Sequence, residues 1–189
     1  MGRTVAQSAP KLTYDDLALF PEDGRRHELI DGVHFVTPAP NTRHQRIVIH
    51  LAVALETFAR AHGLGKVFVA PYDVVLSRHD VVEPDLIFVG AARAAVLTAG
   101  HAAGAPDLVI EILSPSTRRR DEMLKRDLYE ARGVAEYWLI DPEAETVKVL
   151  RREEERFGRA RLLSLRDGDL LETALLPGLE LPLATVFED

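Results

Sequence analysis

The stretch Pro106-Asp107-Leu108-Val109-Ile110-Glu111-Ile112-Leu113 decides the fold that is predicted for this chain. It is apolar on both faces, which is typical of a central strand in a covered sheet. Strand alternation places the Glu111 side chain on the same face as Val109 and Leu113. A carboxylate among large apolar side chains is costly unless it pairs, becomes protonated or holds a metal. The stretch therefore predicts a buried strand that carries a functional acid.

A second apolar run, Val81-Val82-Glu83-Pro84-Asp85-Leu86-Ile87-Phe88-Val89, carries another acid in Asp85, and the helix predicted after Glu111 carries Lys125. Two carboxylates can hold Mg²⁺, which prefers oxygen ligands and keeps several waters. Such a metal activates water and stabilises the charge that develops during phosphodiester hydrolysis, while a lysine orients the water or balances charge. The pattern indicates a Mg²⁺-dependent phosphodiesterase, and hence a nuclease candidate. The alternative is that both acids face solvent on an edge strand or a loop.

Composition predicts one globular domain. The chain has 189 residues and 47% hydrophobic content, enough for a core, and its apolar stretches are shorter than the ~20 residues of a membrane helix. We expect a disordered lead over residues 1–10, a single domain over 11–189, and no membrane partner. The N-terminus lacks the apolar core of a signal peptide and cysteine is absent, so a cytoplasmic location is the simplest.

The net charge of −7 argues against a protein whose whole surface embraces nucleic acid. Phosphate binding needs clustered lysine and arginine, and one such cluster follows Glu111. It can equally be a solvated helix face. Its members are Arg118, Arg119, Arg120, Lys125 and Arg126.

Hydrophobic periodicity and turn residues predict a mixed β-sheet flanked by helices, of α/β or α+β type. An extra helix, opened by Thr13, and a hairpin with an Asp31-Gly32 turn precede this core. Short strands are expected in the tail from 161 to 187. The other predicted helices are Asn41 or Thr42 to His62 and Ser116–Arg132, with one or two helical turns within Ala91–Gly104, and the predicted strands are His27–Ile30, Val33–Thr37, Lys66–Ala70, Asp73–Ser77, Val82–Val89, Asp107–Leu113, Ala135–Ile140 and Thr146–Arg151.

Four further residues are candidates for the site. Glu28, just before the hairpin turn, is either a third acid of the site or a solvent-facing strand residue. Glu122, Lys125 and Tyr129 share one helical stripe at i, i+3 and i+7, although Glu122 and Lys125 can also form a routine surface pair. His44 begins the first long helix, where a histidine is more often a cap or a surface residue than a catalyst.

The chain resembles the Uma family of restriction endonucleases, in the PD-(D/E)xK nuclease superfamily. The resemblance runs from Tyr14 to about Leu150. The pieces that carry it are His27-Glu28-Leu29-Ile30-Asp31-Gly32, His44-Gln45, Glu83-Pro84-Asp85-Leu86, Ala105-Pro106-Asp107-Leu108-Val109-Ile110-Glu111-Ile112-Leu113-Ser114-Pro115-Ser116-Thr117, Asp121 with Lys125, and Gly133-Val134-Ala135-Glu136-Tyr137-Trp138-Leu139-Ile140-Asp141-Pro142.

The resemblance implies a restriction-endonuclease-like core and cleavage of DNA with Mg²⁺, for which Mn²⁺ can substitute. It assigns Asp85 and Glu111 to the metal and makes Glu28 an additional acidic residue. Leu113 stands where the superfamily has its lysine, so the resemblance suggests that Lys125 reaches the site from the next helix. The implied catalytic residues are then Glu28, Asp85, Glu111 and Lys125, and His44, Glu122 and Tyr129 are candidate accessory residues.

Two other functions remain open at this point. The displaced lysine and the acidic net charge also suit a nuclease-fold protein that binds or assembles without useful catalysis. A metal hydrolase acting on a smaller phosphodiester would use the same carboxylates. By analogy, we expect a homodimer, since twofold assembly suits symmetric cleavage of duplex DNA.

Overall fold

The structure is a computed structural model that describes residues 10–21 and 23–188. The disordered lead expected over 1–10 lies, except for residue 10, outside the described residues. The α-helices are α1 (Tyr14–Leu17), α2 (Thr42–His62), α3 (Arg126–Arg132) and α4 (Leu183–Val186). The strands are β1 (Arg26–Ile30), β2 (Val33–Thr37), β3 (Gly65–Val69), β4 (Asp73–Ser77), β5 (Asp80–Val82), β6 (Leu86–Gly90), β7 (His101–Ala103), β8 (Leu108–Ile112), β9 (Glu136–Asp141), β10 (Thr146–Glu153), β11 (Arg156–Phe157), β12 (Arg161–Ser164), β13 (Leu170–Leu171) and β14 (Leu181–Pro182).

Two sheets carry most of the strands. A seven-stranded mixed sheet has the order β11-β10-β9-β8-β6-β3, with β12 also paired to β10. Its central strands β8 and β9 are parallel, whereas β6 and β8 are antiparallel. A five-stranded sheet has the order β2-β1-β5-β4-β7. The mixed sheet with flanking helices that the sequence predicts is confirmed.

Strand β8 is buried on both faces. Leu108, Ile110 and Ile112 belong to the core that α2 covers. Val109 and the neighbouring Leu113 belong to a second core on the opposite side, which contains Leu128 of α3. The alternation that places Glu111 on the α3 side therefore follows from the hydrophobic pattern of the strand itself.

The N-terminal helix and the hairpin are also present as predicted. Thr13 and Asp16 form a reciprocal capping box at α1. Asp31 and Gly32, which join β1 to β2, have φ values of 51° and 72°, the left-handed pair that a tight two-residue turn requires. The turn brings the two strands into register and fixes the side of β1 on which Glu28 lies.

The single strand predicted over Val82–Val89 is wrong. The chain forms β5 up to Val82 and starts β6 at Leu86, and the two strands belong to different sheets. Pro84 has no N–H to give to a strand ladder, so the ladder ends at this point. Asp85 consequently lies where the chain crosses from one sheet to the other.

The helix predicted over Ser116–Arg132 is irregular. Helical conformation begins at residue 118, and a π-helical turn spans Arg120–Lys125 before α3. A π-helical turn has i→i+5 instead of i→i+4 hydrogen bonds, so each turn contains more residues, and such turns recur at functional sites. Within the described part of the chain, no helix is long and apolar enough to cross a membrane.

Candidate active site

Asp85 is held by three donors. Arg26 Nη1 of β1 lies 2.7 Å from Asp85 Oδ1, and His44 Nε2 of α2 lies 3.1 Å from Oδ2. The backbone N–H of Ile112 donates to the same Oδ2 at 2.8 Å. Elements from both sheets and the long helix therefore meet on one carboxylate.

The pKa of Asp85 is lowered to about 2. Burial raises it, but the hydrogen bond from His44 and the charge of Arg26 outweigh burial. Asp85 is only 3% exposed, so solvent screens these interactions weakly. The group is an ionised carboxylate throughout the neutral pH range.

Glu111 lies on β8, which pairs with the strand β6 that follows Asp85, and its side chain is also buried. Its Oε1 accepts hydrogen bonds from Lys125 Nζ at 2.8 Å and from Tyr129 Oη at 2.9 Å. Burial, together with the negative charges of nearby acids such as Asp121, raises the pKa of Glu111 to about 8 although Lys125 acts in the opposite direction. A second cation beside Glu111 would relieve this repulsion between carboxylates.

Lys125 is the central cation of a cluster of buried charges that it forms with Glu28, Glu111 and Asp121. Its Nζ lies 2.7 Å from Glu28 Oε1, 2.8 Å from Glu111 Oε1 and 3.7 Å from Asp121 Oδ1. The side chain is fully buried, which lowers its pKa, but the three carboxylates more than compensate and raise the pKa above its ordinary value. Lys125 is therefore a permanent positive charge rather than a proton acceptor.

Glu28 reaches the cluster from β1 and is 1% exposed. Its Oε1 also accepts the backbone N–H of Glu83 at 3.0 Å, and its Oε2 lies 3.4 Å from Arg120 Nη2. Burial raises the pKa of Glu28, yet the charges of Lys125 and Arg120 leave it lowered overall. The solvent-facing alternative for Glu28 is thus excluded.

The expected stripe of Glu122, Lys125 and Tyr129 is wrong in one member. Lys125 and Tyr129 both contact Glu111, but Glu122 points away and pairs with Lys148 of β10 at 2.9 Å. The π-helical turn changes the residue spacing, so that Asp121 instead of Glu122 faces inward with Lys125. The surface-pair alternative for Lys125 is excluded as well, because its amine is buried among the three acids.

His44 is neither the cap of α2 nor a surface residue. Asn41 caps α2 by accepting from the backbone N–H of His44, and the His44 ring is free to bind Asp85. The ring is buried, and within the described residues His44 Nδ1 has no hydrogen-bond partner. The hydrogen bond to Asp85 makes His44 a positioning residue for that carboxylate.

Two residues that the sequence patterns did not single out as site residues belong to the cluster. Arg26 has the period-2 spacing to Glu28 that places both on one face of β1, and this spacing is a usable signal. Asp121 stands four residues before Lys125, a spacing typical of helical ion pairs. Asp121 Oδ1 is buried and, among the described residues, without a hydrogen-bond partner.

Asp85, Glu111 and Lys125 border one cavity of about 190 Å³. Its lining also includes the Pro38-Ala39-Pro40 segment and the Ser114-Pro115-Ser116-Thr117 segment. No preformed group of three or more acidic, histidine or cysteine ligands occurs in the described ranges. The donors nevertheless fit Mg²⁺, because that ion takes one or two carboxylates and completes its shell with water. Asp121 Oδ1, which has no hydrogen-bond partner among the described residues, and the repulsion between Glu111 and its neighbouring acids are further signs of a site that favours a cation.

Comparisons with known proteins identify the family and the fold of the chain. The model of the Uma2 family, described as "putative restriction endonuclease", matches residues 13–184. A crystal structure from Anabaena variabilis ATCC 29413, described as "a putative nuclease belonging to DUF820", is similar with a TM-score of 0.78 and 23% identity, covering 93% of this chain and 97% of that chain. None of the curated proteins matches. The structural likeness confirms the predicted fold.

Proposed function

The chain belongs to the Uma2 family, and from this premise we propose that it is a Mg²⁺-dependent DNA endonuclease. The observation that carries the proposal is the meeting of Asp85, Glu111 and Lys125 at one cavity, with Lys125 Nζ 2.8 Å from Glu111 Oε1. Lys125 comes from the helical segment after β8. It takes the role of the superfamily's strand lysine, whose position is occupied by Leu113 in this chain.

Asp85 and Glu111 are the proposed metal ligands, with Mn²⁺ able to replace Mg²⁺. The bound metal would supply an activated water and charge stabilisation at the phosphate. Lys125 keeps its proton and so contributes positive charge beside the attacked phosphate, in a cavity where electrostatic interactions are strong. Glu28 and Asp121 hold the Lys125 amine in place, and Tyr129 orients Glu111.

Plasmid cleavage in the presence of Mg²⁺, Mn²⁺ or EDTA tests the proposed function. We expect metal-dependent nicking or linearisation, and a loss of about a hundredfold or more in Glu111→Gln, because an amide cannot replace an anionic ligand. Glu122→Gln is the matched control, since it neutralises an acid of the same region that pairs with Lys148 outside the cavity. Cleavage that persists in EDTA, or that Glu111→Gln leaves unchanged, contradicts the proposal.

One observation favours the second candidate function, a nuclease-fold binding module without catalysis. Both oxygens of Asp85 are already engaged, Oδ1 by Arg26 and Oδ2 by His44 and the Ile112 N–H. A metal that binds Asp85 must therefore compete with the guanidinium of Arg26 for Oδ1. If the site takes a metal, Arg26 must give up part of this contact, and its side chain is then available to the phosphate of the substrate.

The Arg26→Gln variant tests this competition. We expect its Mn²⁺ affinity in calorimetric titration to be about tenfold higher than that of the parent protein, because one competing positive charge is removed from Asp85. Arg25→Gln is the control, as Arg25 is exposed and pairs with Asp23. An Mn²⁺ affinity that is unchanged or lower in Arg26→Gln, or carboxylate-independent in the parent, favours the binding module.

A further inference from the structure

A second and larger cavity adjoins the proposed active site. Its volume is about 650 Å³, against 190 Å³ for the cavity that holds Glu111 and Lys125. Arg26, His44 and Asp85 line both, so the two cavities meet at the Asp85 carboxylate. A group bound in the larger cavity would therefore be directly next to a phosphate bound in the smaller one.

The charges around the larger cavity do not suit a second phosphate. Asp73 at the start of β4 and the buried Glu83 both line it, and neither is paired with an arginine or lysine side chain in the described part of the chain. Tyr14 Oη donates to Asp73 Oδ2 at 3.3 Å, which leaves further acceptor capacity on that carboxylate. Of the two arginines that line the cavity, Arg25 is exposed and pairs with Asp23, and the half-buried Arg26 pairs with Asp85. The cavity thus offers hydrogen-bond acceptors to an uncharged group that carries N–H donors.

The volume and the remaining walls suit a flat ring. A cavity of 650 Å³ lies within the range of about 300–1,000 Å³ of small-molecule pockets. Tyr72 lines it, and the ring of Tyr72 is held by stacking on Phe68 with centroids 4.6 Å apart. Pro71 and the Pro38-Ala39-Pro40 segment supply small apolar surfaces. Aromatic and apolar walls of this kind bind nucleobases by stacking.

We propose that the larger cavity binds the base of an unpaired nucleotide adjacent to the scissile phosphate. It favours bases with an exocyclic amine, because Asp73 and Glu83 can accept hydrogen bonds from that amine. Thymine has no exocyclic amine and is disfavoured. A paired base cannot enter, since its Watson–Crick edge is occupied and its neighbours are stacked on it. The inference rests on the proposed function, because it takes the smaller cavity as the place of the phosphate. It makes DNA that is single-stranded at the cleavage position the preferred substrate.

The test measures binding of fluorescent 15-nucleotide oligomers by anisotropy, with Ca²⁺ in place of Mg²⁺ to prevent turnover. We expect oligo-dC and oligo-dA to bind about tenfold more tightly than oligo-dT, and more tightly than a blunt duplex of mixed sequence. Asp73→Asn should reduce the difference between dC and dT at least threefold. Asp127→Asn, an exposed acid on α3, is the control and should leave the difference unchanged.

Cleavage assays on the same oligomers with Mg²⁺ separate this inference from the proposed function. Equal affinity for dC, dA and dT, duplex binding tighter than single-strand binding, or no effect of Asp73→Asn overturns the inference, even if duplex DNA is cleaved. If no DNA is cleaved but oligo-dC and oligo-dA still bind selectively through Asp73, the inference of a base-binding cavity is supported and the proposed function is contradicted.

Discussion

Replacing Lys125 with methionine is expected to lower DNA cleavage roughly a thousandfold and the free energy of unfolding by roughly 3–5 kcal/mol. The methionine matches the length of the apolar stem but removes the buried charge. Glu28, Glu111 and Asp121, each at most 3% exposed, then keep only Arg120, which lies 3.4 Å from Glu28 Oε2, as an ion-pair partner among the described residues. Removing one partner of a buried ion pair leaves an uncompensated buried charge, which makes it one of the most destabilising single substitutions.

The loss of stability in Lys125→Met should depend on pH. In the parent, Lys125 holds the pKa of Glu28 below its ordinary 4.5, so the stabilisation from Glu28 is present above pH 4.5 and is lost as the pH falls. Without Lys125, the pKa of Glu28 rises, because burial is then opposed by Arg120 and the Glu83 N–H alone, and the variant loses stability relative to the parent as the pH rises. The stability gap between parent and variant is consequently larger at pH 8 than at pH 5.

Urea denaturation at both pH values, in EDTA, measures this gap. Lys148→Met is the matched control, because Lys148 also pairs with a glutamate, but at a half-exposed position where a pair contributes only about 0–1 kcal/mol. A Lys125→Met protein that is as stable as the Lys148→Met protein, or whose deficit grows toward acid pH, contradicts the central role of Lys125.

Local patterns were sufficient to predict much of the fold and part of the site. The alternation in β8 identifies the buried face that carries Glu111, and the caps and turn residues give the N-terminal helix, the hairpin and the ends of α2. These features depend on residues that are close in sequence. The place of Lys125 in the site was implied by the resemblance to the Uma family, whereas its helical spacing alone also allowed a surface pair with Glu122.

What the sequence did not predict depends on contacts between distant segments. The partnership of Arg26 with Asp85 joins residues 59 positions apart and exists because β1 pairs with β5 at Leu29 and Val81. The break at Pro84, which sends β5 and β6 to different sheets, brings Asp85 to that junction. The π-helical turn likewise replaces Glu122 by Asp121 in the cluster. Helical or strand periodicity alone gives no signal for either irregularity.

Replacing Asp85 with asparagine is expected to reduce cleavage roughly a thousandfold and to eliminate carboxylate-dependent Mn²⁺ binding. The carbonyl oxygen of the introduced amide can still accept the N–H of Ile112, so the backbone contact that fixes this position beside Glu111 is retained. The neutral amide cannot balance Arg26, and the half-buried guanidinium loses its carboxylate partner. The variant therefore tests the charge of Asp85 with little change in shape.

The acid limb of the stability curve gives an independent readout of Asp85. Its pKa is about 2 in the folded protein against 3.8 ordinarily, which corresponds to about 2 kcal/mol of stability above pH 4. Because the folded value is the lower one, this contribution is lost as the pH falls from about 4 toward 2. The unfolding free energy of Asp85→Asn, measured without metal, should therefore decline less than that of the parent over this range.

Asp107 provides the control for Asp85, since it too follows a proline and precedes a buried strand. Its carboxylate accepts from the Gly90 N–H at 2.7 Å and from Arg93 at 3.2 Å, but it does not border the cavity of Glu111 and Lys125. Asp107→Asn should lose some stability and keep both Mn²⁺ binding and cleavage. If Asp85→Asn behaves in the same way, Asp85 is a structural acid like Asp107, and the metal must be held elsewhere. If only Asp85→Asn loses Mn²⁺ binding, the metal is bound at Asp85, where the chain passes from one sheet to the other.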